Sequence, residues 1–568
     1  MMVTRACAAS MNMGKWRGRI RIEVFLFLLA VAFSAVVTWN TSLNFIDSDA
    51  SSELVLANHL HQTGQVLSKD WYYSTELRAL NTQLVYAPLF GLFSDWRMVR
   101  FVGTMILQGA LLASYGLLCH ALDYGKKAFW YGGALLLLPI SVAYGRIVLY
   151  QTYYIPHIAI SFALVALIIL LAKGKCSERR GFKSVSLIGL HVLSFLSGVG
   201  GIRQIAVTHV PLCLALCLWA VGRLSGRESV AEGEEGLVRR RFFGYLGLML
   251  LSGLAFGIGY WVNKRLLGLY HFSDYSTTAM AWKFDRLSEI AFSILHAFGL
   301  RRDIPLLSVQ GVASLLGVFA FAVLLRLLSG AMNWNRAAGG DDFAQSLAPG
   351  MLVAGLAVFA LEELLLDKAY EGRYVLPYSV WMAPALGGWI GDRKDAFGQR
   401  PDPALRRVMV SFVAVAMALN GVVNGAYFIK PKTFPQPYEG NANKQADMAE
   451  RLSPLVDILS SGEFDMGYCT FWQGNILTEM TDGAIPVINI NVGGDGTVQY
   501  YNWLTLASNR SQRAKKVFAV IDGSTRDAFE TGGMGEASEL LFEDPGGLYR
   551  AYRITDPDKL KTMCEGAA

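Results

Sequence analysis

Eleven apolar runs, each long enough to cross the roughly 30 Å hydrocarbon core of a bilayer at 1.5 Å per residue, are spaced along this chain. They fall at about 22–41, 99–121, 129–146, 155–172, 184–200, 204–222, 242–266, 305–328, 347–366, 375–391 and 408–428. Hydrocarbon offers backbone N–H and C=O groups no water to bond, so such runs fold as helices. The composition agrees, because 53% hydrophobic and 17% charged residues over 568 positions is too apolar for a soluble protein of this size. The expected fold is a polytopic α-helical membrane protein of about 11 transmembrane helices with a C-terminal extracytoplasmic α/β domain. Its expected divisions are a basic cytoplasmic N-terminus at 1–21, a transmembrane domain at 22–429 and the α/β domain at 430–568.

Lys and Arg are retained on the cytoplasmic side of short loops, which sets the orientation. Arg5, Lys15, Arg17, Arg19 and Arg21 precede the first run, Lys126 and Lys127 follow the second, and Lys173, Lys175, Arg179, Arg180 and Lys183 follow the fourth. Arg223, Arg227, Arg239, Arg240 and Arg241 follow the sixth, and Arg393, Lys394, Arg400, Arg406 and Arg407 follow the tenth. In an eleven-span topology all these segments share one side. Residues 42–98 carry only Lys69, Arg78 and Arg97 against six acidic residues, which places that loop and the tail outside the cell membrane. The net charge of +6 is thus a topology signal and not a nucleic-acid footprint. The small-residue Ala32-Phe-Ser34 imitates a signal-peptidase site, but the apolar run continues through Val36, Val37 and Trp39, as in an uncleaved anchor.

Seven cysteines are scattered, Cys7, Cys119, Cys176, Cys213 and Cys217 in or near the membrane, with no Cys-x-x-Cys pair of the kind that holds zinc. Cys469 and Cys564 both fall in the tail, where they either form a disulfide or fill the core as small apolar residues. Residues 50–64 read as an amphipathic helix on the membrane surface, with Leu54, Leu56, Ala57 and Leu60 on its apolar face and Gly64 ending it. Residues 267–304, with Tyr270, His271, Asp274, Tyr275, Trp282, Lys283, Asp285 and Glu289, form a second polar and aromatic external loop that suits a lid. Pro431, Pro435 and Pro437 mark a stiff linker, after which 444–459 and 475–480 read as helices and 466–471, 486–492 and 517–521 as strands.

The chemistry concentrates in Asp47-Ser-Asp49-Ala-Ser-Ser-Glu53, just beyond the first apolar run. A carboxylate at the membrane rim is costly to desolvate, so it marks either chemistry or a tight cap. Asp49 and Glu53 are four residues apart, on one helix face, and Asp47 sits just before the helix. Asp47 or Asp49 can cap the helix N-terminus, and one of them can serve as a general base; the two roles are compatible.

The pattern Asp49-x-x-x-Glu53-Leu-Val-Leu-Ala-Asn-His-Leu-x-x-x-Gly64, followed by Leu84-Val-Tyr-Ala-Pro88-Leu, resembles the GT-C superfamily of membrane glycosyltransferases. The likeness is to its protein O-mannosyltransferase and lipid A aminoarabinose transferase branch. It extends to Arg373-Tyr-Val-Leu-Pro377, which is similar to the Arg-Tyr-x-x-Pro motif of that group, and covers roughly residues 20–430 as topology. The resemblance implies a sugar donor carried on polyprenyl phosphate and a catalytic aspartate at Asp49. Where the family has a following Glu this chain has Ala50, which leaves the base open between Asp49 and Asp47. The link Val148-Leu-Tyr-Gln-Thr-Tyr-Tyr154 lacks the acidic residue of the metal-dependent oligosaccharyl members, so neither a metal nor another cofactor is expected.

Transfer outside the cell needs a lipid-borne sugar, and its phosphate leaving group needs fixed cations, for which the planar fork of Arg is suited. The candidates are Arg373, Arg203, Arg146 and Lys264, each of which also reads as an interfacial cation. Tyr72, Tyr73, Glu76, Arg78, His157 and Tyr374 are candidates to contact substrate, although an aromatic belt accounts for the tyrosines and a satisfied interfacial histidine for His157. Glu362, Glu363, Asp367, Lys368 and Glu371 read as a salt-bridged cluster. Phe471-Trp-Gln-Gly-Asn475 suits either acceptor-sugar stacking or core filling. The expected partners are a polyprenyl-phosphate-linked sugar donor, a cell-envelope glycan, lipid or protein acceptor, and membrane lipid. The rival readings are a lipid-linked sugar transporter or flippase, against which the lack of repeats and of midplane charges argues, and a non-enzymatic envelope assembly protein.

Overall fold

The computed structural model describes residues 21–174, 180–225, 232–272, 279–334, 343–391, 403–434, 448–512 and 514–566. Of the positions singled out above, Arg5, Cys7, Lys15, Arg17, Arg19, Lys175, Cys176, Arg179, Arg227, Asp274, Tyr275, Arg393, Lys394, Arg400, Pro435 and Pro437 lie outside them.

The first helix, α1 (Ile22–Asn44), contains neither Gly nor Pro and runs unbroken through its apolar stretch. Next comes α2 (Ser48–Thr63), opened by Asp47, whose Oδ1 accepts the Ala50 N–H at 2.8 Å, and closed by Gly64 in the left-handed conformation. A two-residue strand β1 (Trp71–Tyr72) and a short α3 (Gln83–Leu89) lead to α4 (Trp96–Ala121). The rest of the bundle comprises α5 (Lys126–Leu136), α6 (Ile155–Ala172), α7 (Arg180–Gly200), α8 (Val210–Ser225), α9 (Glu232–Leu266), α10 (Leu287–Ala297), α11 (Val309–Trp334) and α12 (Phe343–Leu365). It ends with α13 (Leu376–Ser379), α14 (Met382–Gly391) and α15 (Pro403–Ile429).

Among the described residues nine helices are long and apolar enough to cross a membrane, so the chain is a multi-pass membrane protein. The runs at 129–146 and 375–391 differ from expectation, because neither forms one long helix. The first stops as α5 before Pro139 and resumes as a π-helical segment, Tyr144–Tyr150. Asn424 Nδ2 donates to the freed Pro139 carbonyl at 2.7 Å, so the break leaves no orphan acceptor there. The second is split between α13 and α14, where the ring of Pro384 is incompatible with a helical Val380 carbonyl four residues earlier. The interrupted segments α5 and α14 pack against each other. The α7–α9 pair packs closely, with Gly198 against the Phe256 backbone and Gly259 against that of Phe195, positions where any Cβ would collide.

The tail contains α16 (Met448–Leu459), β2 (Met466–Thr470), α17 (Phe471–Met480), β3 (Val487–Val492), β4 (Val498–Tyr500), β5 (Thr505–Leu506), β6 (Val517–Asp522), β7 (Ser538–Glu543), β8 (Tyr549–Ile554) and α18 (Pro557–Gly566). Six strands form a sheet in the order β4-β3-β2-β6-β8-β7, parallel at β3-β2-β6 and antiparallel toward both edges. Alternation along β2 and β6 sends Cys469, Phe518 and Val520 to one core and Tyr468, Ala519 and Ile521 to the other, where Cys564 of α18 joins them. The two tail cysteines are free and buried on opposite faces of the sheet, which rules out the bridge between them.

The tail docks on the α2 end of the bundle. Helix α17 packs on α2, β1 pairs with β5 through Trp71↔Leu506 and Tyr72↔Thr505, and Asp70 accepts the Ser508 N–H at 2.7 Å. Arg100 and Glu479, both nearly inaccessible, form a two-pronged ion pair whose Nε–Oε1 arm is 2.7 Å. The apolar residues of α2, expected to face a membrane surface, are therefore covered by protein. Leu54 and Ala57 join the bundle core, while Leu56 and Leu60 join Trp71, Tyr73 and Leu504 in a second apolar cluster. Breaking a buried, hydrogen-bonded pair strands the remaining charge. Arg100→Ala is expected to destabilise tail docking by about 3–5 kcal/mol, read as earlier release of the tail in limited proteolysis.

Candidate functional site

A cavity of about 300 Å³ opens where α2, the loop at 74–81, the segment at 147–157, Arg203, residues 371–374 and the tail meet. The acidic cluster divides its labour here. Asp47 is saturated: besides capping α2 it accepts from Gln151 Nε2 at 2.6 Å and from the Tyr153 hydroxyl at 3.2 Å. It is the cap, and Asp49 is not. Glu53 is also engaged, holding the loop through Arg78 and the Thr82 hydroxyl.

Asp49 faces the cavity, and among the described residues its carboxylate makes no hydrogen bond and no ion pair. Burial pushes its carboxyl up to about 6, the Asp47 charge adds to that, and Arg373, Arg78 and Arg146 pull the other way.

Three arginines line the same space, each with its own glutamate. Arg78 pairs with Glu53, Arg203 Nε with Glu76 at 2.6 Å, and Arg373 Nε with Glu371 at 3.0 Å. Burial would raise the Glu76 carboxyl, but Arg203 and His157, the latter at 3.3 Å, outweigh it and hold it down at about 2. Burial lowers Arg78 to about 10, which leaves it charged at neutral pH. Arg373 is raised despite its burial, by the rings of Tyr154 and Tyr374 and the carboxylates of Glu371 and Asp49. The Arg203 guanidinium lies 5.4 Å from the Tyr154 ring centre and 5.9 Å from that of Tyr374.

The cavity thus gathers Asp49, Glu53, Glu76, Arg78, His157, Arg203, Arg373 and Tyr374, residues spread over more than three hundred positions. The other candidates fall elsewhere. Lys264 ends α9 with its ammonium 5.1 Å from the Tyr260 ring, Tyr73 is buried with its hydroxyl accepting the Ser68 N–H at 3.0 Å, and Tyr72 pairs with the tail and stacks on His271. Arg146 acts on Asp49 through its charge without lining the cavity. No described residue of the 267–304 loop lines it either; that loop is tied to the end of α12, for example by Lys283–Asp367 at 2.8 Å. Glu362, Glu363 and Lys368 form the expected ion-paired cluster, with Lys368 Nζ 2.6 Å from Glu362 and 3.1 Å from Glu363.

The wall that sequence reasoning missed is Trp503-Leu504, delivered by the tail, together with Tyr153, Tyr154 and Asn81. The tyrosines lie beside His157 in sequence and were legible as neighbours, whereas Trp503 carries no local signal. The Phe471–Asn475 segment joins the tail to α2: Asn475 Nδ2 donates to the Ser48 carbonyl at 3.5 Å and, within the tail, to that of Leu504 at 3.1 Å, while Phe471 packs edge-on against Trp472 and Tyr501. Among the described residues no three His, Cys, Asp or Glu side chains converge as a metal site.

Neither a family model nor a curated protein matches this chain by sequence. Solved structures do match. ArnT from Cupriavidus metallidurans in its apo state superposes with a TM-score of 0.51 at 13% identity, over 96% of this chain and 99% of that one. The same protein bound to undecaprenyl phosphate gives 0.50 at 14% identity, over 93% and 97%. The arabinofuranosyltransferase AftD from Mycobacteria gives 0.43 at 11% identity, over 94% of this chain and 40% of that one.

This chain has the GT-C fold. The likeness to ArnT spans nearly the whole of both chains, so it takes in the tail as well as the membrane bundle. In this fold Asp49 stands after the first span, and Arg373 stands at the start of the interrupted segment that leads into α13.

An Asp49 carboxyl raised from 3.8 to about 6 keeps its proton in the folded state over a range where the unfolded chain has lost it. Its contribution therefore weakens the fold as pH rises from about 4 to about 6 and stays unfavourable above. Asp49→Asn is expected to raise the thermal midpoint above pH 6, with the gap closing toward pH 4, read by thermal unfolding across that range.

Proposed function

We propose that this chain is a membrane glycosyltransferase that moves a hexosyl or pentosyl unit from a polyprenyl-phosphate donor to a cell-envelope acceptor at the external face. The observation that carries the reading is an unpaired Asp49 carboxylate facing three glutamate-balanced arginines in one cavity. The ArnT fold, one example of which holds undecaprenyl phosphate, supports a lipid phosphate as the donor's carrier. The distribution of Lys and Arg supports an external site, with the α2 end of the bundle and the docked tail outside.

In this mechanism an acceptor hydroxyl attacks the anomeric carbon while Asp49 takes its proton. The bond from that carbon to the phosphate oxygen breaks on the opposite side, so configuration inverts, and the electron pair leaves with the phosphate. A pKa of about 6 suits the base, ionised at neutral pH yet basic enough to share a proton in the transition state. Arg373 receives the phosphate charge. Its side chain is the most exposed of the three arginines, and in exchanging Glu371 for a phosphate it keeps a charge-assisted fork partner. Arg203, braced by Glu76 and His157, supports it, and Asp47 holds α2 in place. The Trp503 ring offers the acceptor an apolar face.

The test is transfer from a panel of polyprenyl-phosphate sugars by purified protein in lipid. Asp49→Asn is expected to lower turnover by about 10²- to 10⁴-fold while leaving donor affinity in place. Unchanged turnover would reject Asp49 as base. For the parent, kcat/KM is expected to climb with pH and level off above about 6, the value at which Asp49 ionises. Arg373→Ala is expected to weaken donor binding, and chelation to leave the rate unchanged; loss of activity to a chelator, restored by magnesium or manganese, would contradict metal independence.

A further inference from the structure

A second cavity, of about 250 Å³, lies farther along the same seam, between α2, the start of α4 and the turn that follows β5. Its wall is polar without charge. Asn58 and Gln62 come from α2, Asn475 from α17, and Thr505, Asn509 and Gln512 from the tail, and no lining residue is Asp, Glu, Lys or Arg. His59 at its edge meets Ser68 Oγ at 2.8 Å, and burial lowers its pKa, which keeps the ring neutral. Trp96 adds an aromatic surface.

Carboxamides and hydroxyls that offer donors and acceptors together match a sugar, whose every hydroxyl both gives and accepts, while an aromatic face suits its C–H side. An ion would find no countercharge on this wall, and an uncompensated charge there is costly. Two polar atoms stand ready. The nearly inaccessible Asn475 donates through Nδ2 to Leu504, yet its Oδ1 accepts from no described residue, and the equally buried Thr505 hydroxyl has no described partner. The two cavities are joined through shared elements: Asp49 and Glu53 of α2 line the first and Asn58 and Gln62 the second, as do the adjacent Leu504 and Thr505.

We propose that this second cavity is a saccharide subsite that holds an uncharged sugar unit of the acceptor glycan, away from the hydroxyl that reacts. The assignment to the acceptor rests on the glycosyltransferase reading above; binding is measured without turnover, so the two ideas fail separately. The test is calorimetric titration of the full chain in lipid nanodiscs with uncharged gluco-, manno- and arabino-oligosaccharides, and with an oligogalacturonate as the anionic comparison. At least one uncharged series is expected to bind, with an affinity that falls about tenfold in both Asn58→Leu and Gln62→Leu. Both positions lie on the less buried side of α2, and unchanged thermal unfolding of the variants certifies the fold. Binding is expected to persist with a polyprenyl-phosphate sugar already loaded and in Asp49→Asn. Failure of every uncharged series to bind, preference for the oligogalacturonate, indifference to both substitutions, or displacement by the donor would each overturn the proposal.

Discussion

The sixteen residues of α2 are held from both sides, and the arrangement of the cavities follows from that clamp. Leu54 and Ala57 commit one face to the membrane bundle, and Leu56 and Leu60 commit another to the cluster shared with Leu504 of the tail. With the helix fixed in rotation, the side chains of its first turns have no choice of environment. Asp47 is consumed by the backbone it caps and by Gln151 and Tyr153, whereas Asp49 is left facing open space without a bonded partner among the described residues. Two identical side chains two residues apart thus acquire different chemistry from packing alone.

The charges around Asp49 are balanced in pairs. Each of the three arginines brings a glutamate, so the site holds its cations without relying on Asp49 to neutralise them. Such an array is ordered before any anion arrives, and charge developing in the cavity meets dipoles and ions already in place. The pairs are not equivalent. Glu76 is held by both Arg203 and His157 and buried with them, while Arg373 and Glu371 are the most exposed of the three and the easiest to separate.

Much of this was legible in the sequence where periodicity carries it. Long apolar runs gave the bundle, the strand and helix alternation after residue 444 gave an α/β tail, and the acidic cluster marked the cavity. The two interrupted runs were not legible, because hydropathy counts apolar residues and is blind to the steric effect of Pro139 and Pro384 on the helix around them. What covers α2 was hidden for a related reason: amphipathicity says that a face will be covered, and cannot say that the cover is protein four hundred residues distant. Lys264, Tyr72 and Tyr73 were drawn in by residue type and nearness to the interface, and tertiary packing gave them other partners.

Trp503 and Leu504 are the tail's share of a cavity otherwise lined by α2 and the connections between the bundle's helices, which separates two kinds of evolutionary change. The acid stands in the clamped first turns of α2, and the arginines on segments tied down by their own glutamates. In the tail's turn before β5, Leu504 is buried and bonded through its backbone to Tyr72 and Asn475, whereas the Trp503 side chain is only half-buried. Diversification of what enters can proceed at the Trp503 side chain, while the buried Leu504 and the machinery beneath it stay untouched.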